Sequence, residues 1–449
     1  MKSKSRFVCQ NCGASYSKWS GRCESCGEWN TLLEQAEQIE SKTKLKAAAS
    51  TGKKLTTVTV DSITPANEKT RLKTDLPDLD VVFGGGILPG SVSLLAGQPG
   101  IGKSTLLMQI AATIAQGHNV LYVSGEESAS QVKLRATRLG AKSAQLFFAS
   151  STSGNDIAKT ISDGDYDLVI VDSIQTLSLD EITSAPGTVS QVSNCGNLII
   201  RAAKQSNTAI IIVGHVTKDG TLAGPKVLEH LVDVVLNFEG DRYGGFKTVR
   251  AIKNRFGSTT EVAIYEMTDK GLEEVKNPSE ALLAERQNTD GSIILATLEG
   301  TRPILVEIQA LVNPTNFGYP KRTASGFDLN RLNLLVAVLE RRTKLTLQDK
   351  DIFINVVGGL RLQDPAADLA VAMAIASAAA GKKLSDKYVV FGEVGLGGEI
   401  RSASSPDRRI AEAKKLGFTH AIAPMTRTKN PFILGQKDLR TALISYLDK

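Results

Sequence analysis

Short, unbroken apolar runs separated by longer stretches of helical spacing dominate the middle of this chain. Val92-Ser93-Leu94-Leu95-Ala96, Asn119-Val120-Leu121-Tyr122-Val123, Leu168-Val169-Ile170-Val171 and Ala209-Ile210-Ile211-Ile212-Val213 show little polar alternation. Strands of that kind are covered on both faces, as in a parallel sheet. Helical runs between them, such as Thr105 to Gln116, make the pattern one of βαβ units. This α/β region extends from about 57 to 270. A second α/β pattern occupies 280–449, and its Ala-rich run from Ala366 to Ala380 reads as a buried helix. Residues 1–30 break the pattern, being Cys/Gly-rich with two Trp. Residues 31–56, rich in Lys, Ala, Ser, Thr and Gly over their second half, read as a flexible linker.

Composition changes this picture little. Apolar residues make up 42% and charged residues 22% of the 449 positions, which is ordinary for a globular chain. The net charge of +6 is uneven, because residues 1–56 hold ten Lys/Arg against five Glu. That bias is compatible with nucleic acid without requiring it. No apolar run approaches the roughly 18 residues that span a membrane. The basic start lacks the apolar core of a signal peptide. A cytoplasmic protein without membrane partners is expected, and its five cysteines are expected as thiols or metal ligands.

Four of those cysteines form two knuckles, Cys9-x2-Cys12 and Cys23-x2-Cys26, ten residues apart. Each knuckle aims two sulfurs at one point, and together they supply the tetrahedral set of a structural Zn2+. A segment this short buries too little to fold alone, so metal binding would supply its folding energy. With all four positions filled by protein, a catalytic zinc is not expected. Cys195 stands apart and reads as a buried helix residue.

The strand Val92 to Ala96 runs into Gly97-Gln98-Pro99-Gly100-Ile101-Gly102-Lys103-Ser104, and a helix follows. Strand before and helix after is the context a phosphate-binding loop requires. Its glycines let backbone N–H groups cradle phosphates at a helix N-terminus. Gly97 to Ser104 and Thr105 are therefore the expected ATP/ADP-binding set. Lys103 would reach the β- and γ-phosphates, and the Ser104 hydroxyl would ligate Mg2+. Asp172 ends the strand Leu168 to Val171 and would hold the Mg2+ shell. Hydrolysis needs a carboxylate to orient water, and Glu126 and Glu127 follow a strand at the edge where ligands bind. Either could also be a helix-start acid favoured by the dipole. His215 ends the next strand, where it could sense the γ-phosphate.

The four-cysteine module, the phosphate loop and the pentapeptide Lys253-Asn254-Arg255-Phe256-Gly257 together resemble the bacterial DNA repair family RadA, also called Sms, over essentially the whole chain. The resemblance implies a RecA-like P-loop ATPase core at 57–270, assembled as a homo-hexameric ring around DNA. It implies a DNA-dependent ATPase and helicase of recombination and repair, acting on single-stranded and branched DNA and extending branches begun by RecA. Matching the pentapeptide, Lys253 and Arg255 would couple ATP to DNA, and they could reach the γ-phosphate of a neighbouring subunit as an arginine finger does. Alignment with the RecA-type strand end favours Glu126 over Glu127. Two loops, 181–192 and 217–226 with Lys218, Gly220, Gly224 and Lys226, would face DNA. The alternatives are a strand-exchange recombinase that forms filaments, an ATP-dependent protease, and a regulatory ATPase without DNA.

Residues 280–449 resemble the proteolytic domain of Lon, whose chemistry needs a serine and an activating lysine. Here Ala366 stands at the serine position, and Asp407-Arg408 stand near the lysine position. A Lon-protease-like α/β domain lacking the dyad, and no peptidase activity, are expected. Its many basic residues could form a duplex-binding face or simply a solvated surface.

Overall fold

The computed structural model describes residues 5–9, 14–25, 27–36, 57, 59–62, 71–215, 227–240, 245–315, 318–426 and 430–447. They fall into two compact units. The first draws on Met1–Asp75, Gly85–Gly97 and Leu107–Val235, the second on Leu76–Gly84, Gln98–Leu106 and Leu236–Lys449.

The chain opens with three antiparallel strands, β1 (Ser5–Cys9), β2 (Ser15–Tyr16) and β3 (Leu32–Ala36), in the order β2-β1-β3. Their small core is Cys9, Cys23 and Leu32. The range read as linker thus begins as strand, since Leu32–Ala36 pairs along its whole length with β1. Helix α1 (Pro77–Val82) comes next and belongs to the second unit.

Alternating elements follow: β4 (Val92–Gly97), α2 (Lys103–Ile114), β5 (Val120–Ser124), α3 (Ala129–Arg138), β6 (Leu146–Ser150) and α4 (Gly154–Asp163). Then come β7 (Leu168–Asp172), α5 (Val189–Ser206), β8 (Ala209–His215) and α6 (Val227–Leu231). Strands β4, β8, β7, β5 and β6 lie in that order, all parallel. The four apolar runs are β4, β5, β7 and β8, and nearly every side chain in them is buried, as full coverage by helices requires. Register places Gly97 beside His215 and Ser124 beside Asp172. The strand ends therefore gather at one carboxyl edge of the sheet.

Strand β9 (Val234–Gly240) begins in the first unit and continues into the second, where β10 (Lys247–Asn254), β11 (Val262–Thr268) and β12 (Gly271–Glu274) follow in the order β12-β11-β10-β9. After α7 (Pro278–Leu283) come β13 (Ser292–Glu299), β14 (Arg302–Pro314), β15 (Arg322–Ser325), α8 (Leu329–Thr343), β16 (Lys350–Val356) and α9 (Ala367–Ala380). The chain closes with β17 (Tyr388–Val390), β18 (Glu393–Val394), β19 (Ile400–Arg401), α10 (Pro406–Lys415), β20 (His420–Pro424), β21 (Ile433–Gln436) and α11 (Leu439–Leu447). A seven-stranded mixed sheet, β15-β16-β14-β13-β17-β20-β21, forms the body of this part. Helix α9 is buried from Ala367 to Ser377, with Asp368 and Ser377 the polar residues of that stretch, which suits a helix inside a core. No helix among the described residues is long and apolar enough to cross a membrane.

Candidate ATPase site

The phosphate loop joins β4 to α2. Gly100 and Gly102 have φ of +79° and +116°, a region L side chains avoid. A Cβ on Gly102 would also come within 2.8 Å of the Met267 methyl, with Leu272 and Phe238 close behind. Nothing lies within 4 Å of a Cβ at Gly100, so there only the backbone turn demands glycine. Lys103 is buried, and its Nζ donates to the Gln98 carbonyl at 3.0 Å. A buried ammonium at the start of a 12-residue helix fits a phosphate group, because cation and helix N-terminus attract the same charge. Ser104 and Thr105 follow in the first turn of the helix.

The parallel sheet of the first unit carries the acids. Asp172 ends β7 and is buried, and the Tyr122 hydroxyl donates to its Oδ2 at 2.6 Å. Burial, and then the Asp172 charge, hold that phenol well above its usual pKa, so it remains a donor. Ser173 Oγ donates to Glu126 Oε1 at 2.5 Å, and His215 Nε2 lies 3.3 Å from the same oxygen. Glu127 turns away to pair with Arg135 of α3. Both backbone N–H groups, of Glu126 at 3.3 Å and Glu127 at 2.9 Å, are held by Ser124 Oγ. The adjacent carboxylates therefore differ: Glu127 sits in an ion pair, while Glu126 joins a serine and a histidine at the strand ends. Sequence reasoning singled out Asp172, Glu126 and His215 but missed Tyr122, Ser173 and Arg135. Arg135 stands eight residues past Glu127 on the next helix, a spacing that could have been tested.

Lys253 is half-buried and Arg255 exposed at the end of β10. The pentapeptide's other members shape its turn. Asn254 Nδ2 donates to the Val82 carbonyl at 3.0 Å, and its Oδ1 accepts from Phe256 N at 2.8 Å. A Cβ on Gly257 would fall 2.6 Å from Gly84 Cα, so only glycine allows this approach.

Loop 181–192 is organised by Gln191, whose side chain bonds Leu179 N and the carbonyls of Leu179, Ile182 and Ser184. It contains no lysine or arginine, so phosphate contact there would fall to hydroxyls and backbone N–H groups. Loop 217–226, with Lys218, Gly220, Gly224 and Lys226, lies outside the described residues.

In the three-stranded ribbon, Cys9 and Cys23 are buried at 1% and 0% exposure. Cys9 N bonds Ala14 O, and Gly27 N bonds Cys23 O, each at 2.8 Å, and Gly27 has φ of +77°. These turns fit thiolate knuckles, whose sulfurs the chain folds over. Cys12 and Cys26 lie outside the described residues. Cys195 is buried in α5, and burial pushes its thiol up to about 11.

At the Lon-like position, Ala366 is buried and its N–H donates to Asp364 Oδ1 at 3.0 Å. Asp364 Oδ2 accepts from Arg409 Nη1 at 2.6 Å, from Thr297 Oγ1 at 3.1 Å and from Leu298 N at 3.2 Å. Arg409 is fully buried, donates to Ala296 O and Ser404 O, and stacks on Phe391. Asp407 and Arg408 occupy the first turn of α10, and Arg408 Nη1 donates to Thr301 O. Arg331 bonds Asp368, and Arg401 bonds Glu399. Of the basic residues read as a possible DNA face, Arg331, Arg401 and Arg409 thus have partners inside the domain.

Three family models match the chain: a rubredoxin metal binding domain over 7–34, an AAA domain over 35–221, and subunit ChlI of Mg-chelatase over 333–427. The DNA repair protein RadA of Bacillus subtilis is 47% identical over 98% of both chains. That of Halalkalibacterium halodurans is 48% identical over 94% of this chain and 93% of its own. RadA of Aquifex aeolicus is 46% identical over 94% of each. Among solved structures, the RadB recombinase is 22% identical, with a TM-score of 0.38 over 46% of this chain and 100% of its own. Near-half identity along almost the full length means that this chain, a metal-ribbon module, an AAA ATPase domain and a Lon-like domain, belongs to the DNA repair protein RadA family.

Proposed function

We propose that the chain is a DNA-dependent ATPase and helicase of recombination and repair, working in the cytoplasm as a hexameric ring on single-stranded and branched DNA and extending branches begun by RecA. The observation that carries this reading is the cluster of Glu126, Ser173 and His215 at the carboxyl edge of the parallel sheet, on a chain with a phosphate loop and the family's pentapeptide.

Lys103 neutralises the β- and γ-phosphates at the head of α2. Ser104 and Asp172 would hold Mg2+, which would neutralise charge developing on the phosphates. Tyr122, donating to Asp172, fixes which carboxylate oxygen is left for that duty. Glu126 orients the attacking water and takes its proton, while Ser173 keeps its Oε1 in place. His215, on the same oxygen, registers whether the γ-phosphate is present and passes this to the loop that follows β8. Lys253 and Arg255 reach the nucleotide of a neighbouring copy, and Asn254 and Gly257 set the turn that presents them. The ribbon's four cysteines hold a structural Zn2+ that keeps the ribbon folded.

The experiment is unwinding of forked DNA with tails of opposite polarity, alongside ATP turnover with and without single-stranded DNA. Lys103→Ala should abolish both, because γ-phosphate charge stabilisation is lost. Unwinding at the normal rate by that variant would end the motor reading, and filaments in place of closed rings by electron microscopy would favour a strand-exchange recombinase.

A further inference from the structure

The pentapeptide Lys253 to Gly257 is gripped from two sides. On one, Asn254 and Gly257 meet the end of α1, as described above. On the other, Thr260 and Glu261, a few residues after it, meet the turn between β13 and β14 of the Lon-like part. Thr301 N donates to Thr260 O at 2.8 Å, and Thr301 Oγ1 donates to Glu261 Oε2 at 2.8 Å. Gly300 has φ of +61°, and a Cβ there would fall 1.7 Å from Thr260 O. One residue earlier, the buried carboxylate of Glu299 pairs with Arg250 of β10 at 2.8 Å. Phe246, Val262 and Ile264, flanking the pentapeptide, belong to the same hydrophobic core as Ile293, Ile304 and Leu305 of β13 and β14. The turn is tied in its own domain too, because Arg408 Nη1 donates to Thr301 O at 3.0 Å.

The turn combines an ion pair on a buried carboxylate, two hydrogen bonds and an obligatory glycine. Here all of them converge on the two strands that carry the pentapeptide. Asn254 shapes the turn from within, but its direction is set by Arg250 on one side and Thr260-Glu261 on the other.

We propose that Glu299, Gly300 and Thr301 are positioning residues for Lys253 and Arg255, so that the C-terminal domain governs DNA-stimulated ATP turnover through the β13–β14 turn. The inference rests on the functional reading above for the role of the two cations, but not for their placement. Displacing the turn would move the two cations.

The test uses the full-length chain and two readouts: ATP turnover with and without single-stranded DNA, and the rate of trypsin cleavage after the exposed Arg255. Thr301→Val, which keeps shape and removes the hydroxyl, should lower the DNA-stimulated increment about fivefold, the factor for one lost hydrogen bond of about 1 kcal/mol. It should also speed cleavage after Arg255, while KM for ATP stays as in the parent. Thr301→Ser should restore both readouts, which a merely structural threonine would not require. Gly300→Ala should act in the same direction and more strongly. The proposal is overturned if Thr301→Val and Gly300→Ala both keep parental DNA stimulation and parental cleavage after Arg255. Should the parent itself show no stimulation by DNA, the functional reading fails instead, and the cleavage rates alone then decide the positioning claim.

Discussion

Two neighbouring carboxylates at the end of β5 should behave in opposite ways when neutralised. Glu126→Gln keeps the side chain's shape and an oxygen for Ser173 Oγ, which now reaches Glu126 Oε1 at 2.5 Å. What it removes is the charge that polarises water. A positioned base contributes about 10²–10⁴ to a rate, so kcat should fall by that factor with nucleotide binding intact and the melting temperature unchanged. Glu127→Gln instead strips the charge opposite Arg135, whose side chain is only 17% exposed against 29% for Glu127. Hydrogen bonds to charged groups are worth about 1.5–3 kcal/mol. Each kcal/mol shifts Tm by roughly 2–4 °C in a domain of this size. That variant should melt several degrees lower and keep most of its turnover. Steady-state phosphate release, a nucleotide-binding titration and a thermal melt, run on both variants, separate the two outcomes. If Glu127→Gln abolished turnover while Glu126→Gln kept more than about a tenth of it, far above the loss of a general base, the assignment would be wrong.

Other expectations follow the same logic. The parent should carry about one zinc per chain, as a four-cysteine site implies, and Cys9→Ser should lose it by elemental analysis; full zinc content in the variant would count against the site. Cys195, its thiol pushed up to about 11 by burial, is less than about 1% thiolate at pH 8. Iodoacetamide should spare it until the chain is denatured, as mass spectrometry of the labelled peptide would reveal. Because that pKa is raised on folding, its contribution to stability is complete below the unfolded value of about 8.5 and is lost as pH climbs from there towards 11. Arg409→Met strands Asp364 in the interior and should cost about 3–5 kcal/mol, read by denaturant titration. Ala366→Ser should leave casein intact with ATP, and cleavage would revive the protease.

Much of the first unit could be read from the pattern of residues. The strands predicted at 92, 119, 168 and 209 are β4, β5, β7 and β8, because unbroken apolar runs have one stable use, a sheet covered on both faces. The helix expected over Ala366 to Ala380 is α9. The antiparallel strands β11 and β12 were not legible, since each is buried at its start and exposed at its end, and so short an apolar run does not stand out from loop in any window. Tyr122 was counted only as part of an apolar strand, its hydroxyl having no meaning until β7 lay beside β5. Asn254 was passed over for the opposite reason: the charges on either side of it drew attention, and its bond to Val82 spans 172 positions. The arginines read as a possible surface face included Arg409, and no local signal marks an arginine that is to be fully buried.

The Asp364–Arg409 pair also bears on whether this domain could acquire proteolysis. A serine at 366 would find the Asp364–Arg409 ion pair two residues along, and Asp407-Arg408 near the position of the activating lysine. Replacing Arg409 first would leave Asp364 charged, buried and unmatched, and removing Asp364 first would do the same to Arg409. Each single step that way is either silent or destabilising, and only several together could be productive. The ion pair that stiffens the domain thus stands across every single-residue route to a working nucleophile at 366.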